Sequence, residues 1–173
     1  MLEGWGDFYL VAGSAAAVLI GLMFVVISLT QDRSRDSVLH GSQLYMGPVV
    51  LAMSFVLGLS AAALAPGIGP RAYAALTAAV ALWGAARGVL SILGIRRLMR
   101  EEPMHWTDIW FYGVVPSAIY AALGVAAVGF WQGCGWAPYA LAAGVTALLM
   151  LSVRNEWDLV TWLAPRSSPT ESA

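Results

Sequence analysis

Five long apolar segments occupy most of this 173-residue chain. They lie at about 8–29, 44–64, 72–94, 109–131 and 136–153. A helix needs about 20 mostly apolar residues to cross a hydrocarbon core of roughly 30 Å, and each segment is close to that length. Within lipid the backbone must satisfy its own hydrogen bonds, which favours helices. The pattern predicts an all-α membrane protein, a bundle of five transmembrane helices.

The composition agrees with this class and limits the number of domains. Hydrophobic residues make up 60% of the chain and charged residues only 11%, against about 25% charged in soluble domains. The connections are short, so we expect one transmembrane domain at 1–164 and a short flexible cytoplasmic tail at 165–173. The first segment follows Glu3 and Asp7 without a basic residue, so we interpret it as a retained helix and not a signal peptide.

The arginines predict an orientation, because basic residues accumulate on the cytoplasmic side of membrane proteins. All nine basic residues are arginine. Arg71 lies between the second and third segments, and Arg87 lies inside the third. The others all fall on one side of the predicted bundle: Arg33, Arg35, Arg96, Arg97, Arg100, Arg154 and Arg166. We therefore expect an outside N-terminus and a cytoplasmic C-terminus.

An internal repeat is a second prediction from the sequence. Shifting the chain by 66 residues gives 12 identities over the 36 positions 47–82, where chance in so Ala- and Gly-rich a chain would give about 10%. Matched positions include Gly67 with Gly133 and Tyr73 with Tyr139. Helices 2–3 would then be repeated as helices 4–5, in parallel topology. Coincidental matching of small residues is the alternative.

Small residues at four-residue spacing mark candidate helix-packing seams. Such residues let helix backbones approach closely in lipid. The candidates are on the first and third segments: Gly13, Ala17, Gly21, Gly84 and Gly88. Two interpretations stay open, a seam for self-association and ordinary packing within one chain.

Arg87 is the candidate intramembrane polar residue. It shares a face of the third segment with Gly84, Ser91 and Gly94, so we expect it to point into the protein. A charged side chain at a helix centre costs about 2.5–3.5 kcal/mol on insertion scales, so it needs a partner or water. Glu156, Asp158 and Asp108 are the candidate partners. Three interpretations compete: a structural clamp, snorkelling towards the headgroups, and an anion site or water-filled path.

The remaining motifs give weaker evidence of function. Pro48 and Pro116 lie near the starts of their helices, where a proline produces a kink or opens the backbone for a ligand. His40 and His105 lack the His-x-x-x-His spacing of a helical metal site, and solvated loop positions explain both. Cys134 is the single cysteine, which excludes an intrachain disulfide and a cysteine-only metal site. We predict no catalytic residues, no metal and no cofactor, and therefore not an enzyme.

Two stretches carry a resemblance. Residues 13–28, "GSAAAVLIGLMFVVIS", and residues 154–163, "RNEWDLVTWL", resemble the two ends of an uncharacterised family of small bacterial multi-spanning membrane proteins. Its members have a Gly/Ala-rich first helix and a C-terminal Asn-x-Trp motif, here Asn155 and Trp157. The resemblance implies a bacterial inner-membrane location and no particular activity.

Two functions from different classes follow. The first is a self-associating scaffold or accessory subunit, suggested by the small-residue seams and short loops. The alternative is an oligomeric pore or small transporter with an anion-favouring site at Arg87. The expected partners are the lipid bilayer and either further copies of the chain or another membrane protein, with no nucleic acid.

Overall fold

The computed structural model describes residues 2–30, 35–98 and 110–163, with the backbone alone described at 27, 29–30, 35–46, 91–98, 112, 159 and 162–163. This part of the chain is helical and contains no strand. Its helices are α1 Gly6–Thr30, α2 Arg35–Leu64, α3 Pro70–Leu98, α4 Val115–Gln132 and α5 Ala137–Leu163, with a π-helical turn at Trp110–Val114 before α4. All five are long and apolar enough to span a membrane. The prediction of an all-α protein with five membrane-spanning helices is confirmed.

Several helices are longer than the apolar segments that predicted them. α2 begins at Arg35 and α5 ends at Leu163, whereas the matching segments begin at 44 and end at 153. Hydropathy marks only the part of a helix that lipid surrounds, and polar residues continue a helix beyond it. The fourth segment also differs, because its first residues form the π-helical turn and α4 proper begins at Val115.

Four helices form a ring. α2 packs on α3 and α5, and α4 packs on the same two helices, while α1 lies outside against α2 and α5. The packing around the ring is unequal: it is most extensive between α3 and α4 and least extensive between α2 and α3. The weakest contact of the ring therefore lies between α2 and α3.

The bundle has two distinct ends. At the short-loop end, residues 65–69 join α2 to α3 and residues 133–136 join α4 to α5. Trp5 lies at this end, with its ring 5.0 Å from that of Tyr139. We call the opposite end, where α1, α3 and α5 end and α2 and α4 begin, the basic end, after the arginines that the sequence places there. Whether the basic end faces the cytoplasm remains a prediction.

The two short loops each contain a glycine in the same backbone conformation. Gly67 and Gly133 both adopt a left-handed conformation, with φ of 79° and 75°, which glycine reaches without the steric cost of a Cβ atom. These glycines are 66 residues apart, as the internal repeat requires. Equivalent side chains differ, however, since Tyr73 is buried and Tyr139 is 68% exposed. The repeat remains a prediction.

Tyr73 of α3 is hydrogen-bonded to α2 near the short-loop end. Its hydroxyl donates a 3.1 Å hydrogen bond to the carbonyl of Leu59, and its ring packs edge-on against Phe130 at 5.4 Å. Outside this core, large apolar side chains cover the surface, among them Leu82 at 73% and Val11 at 69% exposed. A surface of that kind fits a lipid environment.

The small residues of the candidate seam on α1 lie in two different environments. Gly13 is buried against α2, and an added Cβ would lie 3.0 Å from the Cβ of Ser60. Ala17 and Gly21 are exposed, and a Cβ at Gly21 would meet nothing within 4 Å. One end of the α1 stripe thus packs within the chain and the other faces outward.

Candidate functional site

A cavity of about 230 Å³ lies between the four helices of the ring, towards the basic end. Each of the four contributes to its wall, so the space is central to the ring and excludes α1. The residues that line it are Pro48, Val49, Leu51, Ala52, Gly84, Arg87, Gly88, Leu90, Pro116, Tyr120, Leu148, Leu151, Ser152 and Asn155. The walls are mostly apolar, and the lining residues with polar side-chain groups are Arg87, Tyr120, Ser152 and Asn155.

Glycines bring α3 against α4 on one side of this cavity. Gly84 lies against the ring of Tyr120, and Gly88 lies against the hydroxyl of Ser117. A Cβ atom at either glycine would overlap these side chains. The Ser117 hydroxyl is held in turn by its 2.7 Å hydrogen bond to the carbonyl of Gly113. The close approach fixes the position of α3, and with it the position of Arg87.

The two prolines lie on opposite walls of the cavity. Pro48 is inside α2, and Pro116 is in the first turn of α4, directly after the π-helical turn. Proline has no amide hydrogen, so the usual bond to the carbonyl four residues earlier is missing at each position. Pro116 follows the π-helical turn without a break, and Val114 before it is already helical (φ −71°, ψ −51°). Both prolines therefore lie inside continuous helical segments.

Asn155 is the most clearly oriented polar group at the site. It is 5% exposed, and its Oδ1 accepts a 3.2 Å hydrogen bond from Nη1 of Arg154. With the oxygen engaged by this bond, its amide NH₂ group remains available as a donor at the cavity wall. Ser152, one turn earlier on α5 and 2% exposed, adds a hydroxyl to the same wall.

Arg87 lies at the border of the cavity and is exposed. This corrects the expectation that it points into the protein. The buried stripe of α3 is formed by Gly84 and Gly88, and successive helical residues turn by about 100°, which places Arg87 beside that stripe. Within the described part of the chain, its guanidinium makes no hydrogen bond or ion pair.

The structure does not bring Arg87 to the carboxylates expected to hold it. Asp158 pairs instead with Arg154, one turn away on α5, at 3.1 Å. The guanidinium of Arg154 also stacks on the ring of Phe111, 3.3 Å from its centroid. Glu156 has a buried Oε1 without a hydrogen-bond partner among the described residues, and it is not a lining residue of the cavity. Among the described residues Arg87 is thus paired with neither Glu156 nor Asp158, and Asp108 lies outside the described residues.

For Ser91, the two histidines and the C-terminal tail, the structure describes the backbone at most. Ser91 lies on α3, with its side chain outside the described part, as is that of His40. His105 and the tail at 165–173 lie outside the described residues altogether.

The site's chemistry follows from this inventory. The described lining residues include one cation, two hydroxyl-bearing side chains (Tyr120 and Ser152) and an amide, and they include no carboxylate. An arginine side chain offers donors only. With the asparagine NH₂ and the serine hydroxyl beside it, the cavity favours an acceptor-rich, negatively charged group. Its volume lies below the roughly 300–1,000 Å³ of drug-sized pockets, which limits the group to a small one.

Sequence reasoning missed Ser152 as a site residue and cited Asn155 only for a resemblance. A signal was present, because Leu148, Ser152 and Asn155 follow one helical face at spacings of four and three residues. Polar residues on an otherwise apolar face of a membrane helix predict a bundle interior or a cavity.

Searches against protein-family models, curated proteins and solved structures found no match.

Proposed function

We propose that this protein is a multi-pass membrane protein of the small-transporter or pore class, with its cavity as a site for a small anionic group. The single observation that supports this most is the composition of the cavity, where Arg87 is accompanied by further hydrogen-bond donors and by no described carboxylate. An arginine on a membrane-spanning helix is costly when it has no partner. A bound anion would offset that cost, which is why the residue fits a binding role better than a structural one.

The position of Arg87 supports a ligand role in a second way. A clamp would need a carboxylate within ion-pairing distance, and Asp158 is engaged by Arg154 at 3.1 Å. A purely snorkelling arginine would not need Asn155 and Ser152 on the same cavity. The convergence of the three donors is explained by a shared anionic ligand.

Binding can be tested by thermal unfolding of the purified protein in detergent. Sodium phosphate and sodium sulfate should raise the melting temperature above that in sodium gluconate of equal ionic strength. A ligand at ten times its Kd adds about 1.4 kcal/mol of stability. Arg87→Gln should abolish the dependence on the anion, while Arg71→Gln, an exposed arginine near the other end of α3, should keep it. Equal responses of both variants would contradict the site.

Transport is a separate question and has its own measurement. In liposomes containing the protein, we expect anion flux above that of empty vesicles, and we expect Arg87→Gln to remove the difference. Binding without flux would retain the anion site and reject the transporter.

A second candidate is the self-associating scaffold or accessory subunit. The observation that favours it is the outward-facing part of α1, where Ala17 and Gly21 form a smooth exposed patch. Close helix packing between copies would use such a patch. Both candidates are proposed for a protein of the bacterial inner membrane with the basic end in the cytoplasm, and neither requires catalysis.

A further inference from the structure

The cavity lies beside the weakest helix contact of the ring, that between α2 and α3. Near the short-loop end these helices are joined by the hydrogen bond from Tyr73 to Leu59. Towards the basic end both helices line the cavity, with Leu51 on α2 and Leu90 on α3. Arg87 and Leu90 are exposed, Leu90 at 61%, so the cavity has an exposed edge on the flank of α3. We take this edge, which faces the bilayer, as its lateral opening.

The polar side chains of the cavity lie towards one membrane interface. Asn155 follows the fifth apolar segment, which ends at about residue 153, and Arg87 precedes the end of the third segment, at about residue 94, by seven residues. At a rise of about 1.5 Å per residue this is roughly 10 Å, and a long arginine side chain can extend over much of that distance towards the headgroups. Trp110 and Trp157 are exposed near the same end, at 50% and 68%. Tryptophan is enriched at headgroup depth. The polar groups of the cavity thus lie within reach of a lipid phosphate at this interface.

The walls match a lipid headgroup better than a fully soluble anion. Phosphate oxygens suit the planar guanidinium of Arg87, which can donate two parallel hydrogen bonds, and Asn155 and Ser152 can donate to the remaining oxygens. Apolar side chains such as Leu51 and Leu90 flank the opening. A cavity of about 230 Å³ holds the headgroup alone, so the acyl chains would stay in the bilayer alongside α2 and α3.

We propose that this lateral cavity binds the phosphate of an anionic glycerophospholipid. An anionic headgroup is preferred to a zwitterionic one because the amine of the latter would bring a second cation to a cavity that already contains Arg87 and has no described carboxylate to receive it. This inference rests on the proposed anion site and specifies its ligand.

Native mass spectrometry of the detergent-solubilised full chain can test the proposal. The probes are dioleoylphosphatidylglycerol, dioleoylphosphatidylcholine and inorganic phosphate, each added to delipidated protein. We expect one tightly retained phosphatidylglycerol per chain and at least about tenfold weaker retention of phosphatidylcholine. Arg87→Gln should weaken phosphatidylglycerol binding at least about tenfold, as expected when a charge-assisted hydrogen bond is lost. Arg87→Lys should retain part of the affinity, and Arg71→Gln should retain all of it.

The outcomes separate this inference from the proposed function. Retention of inorganic phosphate without preferential retention of phosphatidylglycerol would overturn the lipid proposal and leave the anion site intact. No Arg87-dependent binding of any probe would overturn both. Equal retention of the two lipids by the wild type and by Arg87→Gln would assign lipid binding to the general apolar surface and reject the cavity. If Arg87→Gln proves unstable, Ser152→Ala provides the second variant, with weaker phosphatidylglycerol retention expected.

Discussion

Arg154 and Asp158 form an ion pair across one turn of α5, with 3.1 Å between Nη1 and Oδ2. The same guanidinium stacks on Phe111 of the π-helical turn and donates to Asn155 at the cavity wall. Arg154 therefore connects α5 to the start of α4 and orients one of the cavity's donors. It takes the carboxylate that the sequence had suggested for Arg87, and it leaves Arg87 available for a ligand.

Double-mutant cycles should reproduce this pairing. We expect Arg154→Met and Asp158→Asn to be coupled by about 0.2–1 kcal/mol in unfolding free energy, the range for solvent-accessible pairs. The two side chains are 38% and 43% exposed, which is why the value should be small. Arg87→Met with Asp158→Asn should show no coupling. Unfolding in mixed detergent and dodecyl sulfate micelles, followed by circular dichroism, gives the energies, and a strong Arg87–Asp158 coupling would refute the observed pairing.

Substitution of Gly84 should show how tightly α3 and α4 are packed. An added Cβ would overlap the Tyr120 ring, so we expect Gly84→Ala to destabilise the protein by about 1–3 kcal/mol, as overpacking does. Gly58→Ala on α2 is the matched control, because its Cβ would meet nothing within 4 Å. The same unfolding assay measures both. Equal stability of the two variants would contradict the close approach of the helices.

The two ends of the α1 stripe should respond differently to a large side chain. Gly13→Leu should destabilise the monomer, because Ser60 lies 3.0 Å from the position of a Cβ. Gly21→Leu should leave monomer stability unchanged, since no atom lies within 4 Å of that position. If α1 mediates self-association, Gly21→Leu will also dissociate oligomers, which sedimentation velocity in detergent measures. Oligomers that persist would remove the scaffold proposal's structural support.

Cys134 provides a test of orientation. It is half-buried in the loop between α4 and α5, at the short-loop end, and it is the chain's single cysteine. A membrane-impermeant maleimide should label it from outside intact cells if the basic end is cytoplasmic. Arg71→Cys, in the first turn of α3, should react from the same side in a Cys134→Ser background, since both positions lie at the short-loop end. Labelling of both positions only after the cells are opened would reverse the orientation.

The helical content of this fold could be predicted from sequence because the membrane imposes it. A long apolar segment in lipid has few alternatives to a helix, and all five segments became helices. The lengths of the helices were harder to predict. At the basic end α2 and α5 continue past their apolar segments, and hydropathy does not detect that extension.

The site could be predicted only in part. A charged residue within an apolar segment is visible in the sequence, as are prolines and regularly spaced glycines. Five lining residues were singled out in this way: Arg87, Pro48, Pro116, Gly84 and Gly88. What the sequence could not supply was the rotation of each helix. Small differences in rotation decide whether Arg87 points inward or lies beside the buried stripe, and whether Asp158 reaches α3 or its own helix. Those rotations depend on contacts such as Gly84 with Tyr120.

The π-helical turn at Trp110–Val114 changes the angular position of its side chains relative to those of α4. A π turn accommodates roughly one more residue than an α turn in the same rise, so the residues at its start are offset by about 100° relative to α4. Phe111 meets the Arg154 guanidinium in this arrangement. Deleting one residue from the turn would allow a regular α-helix and would carry the Phe111 ring around the helix axis, away from Arg154. The extra residue thus lets Phe111 contact α5 while α4 keeps its glycine-lined contact with α3.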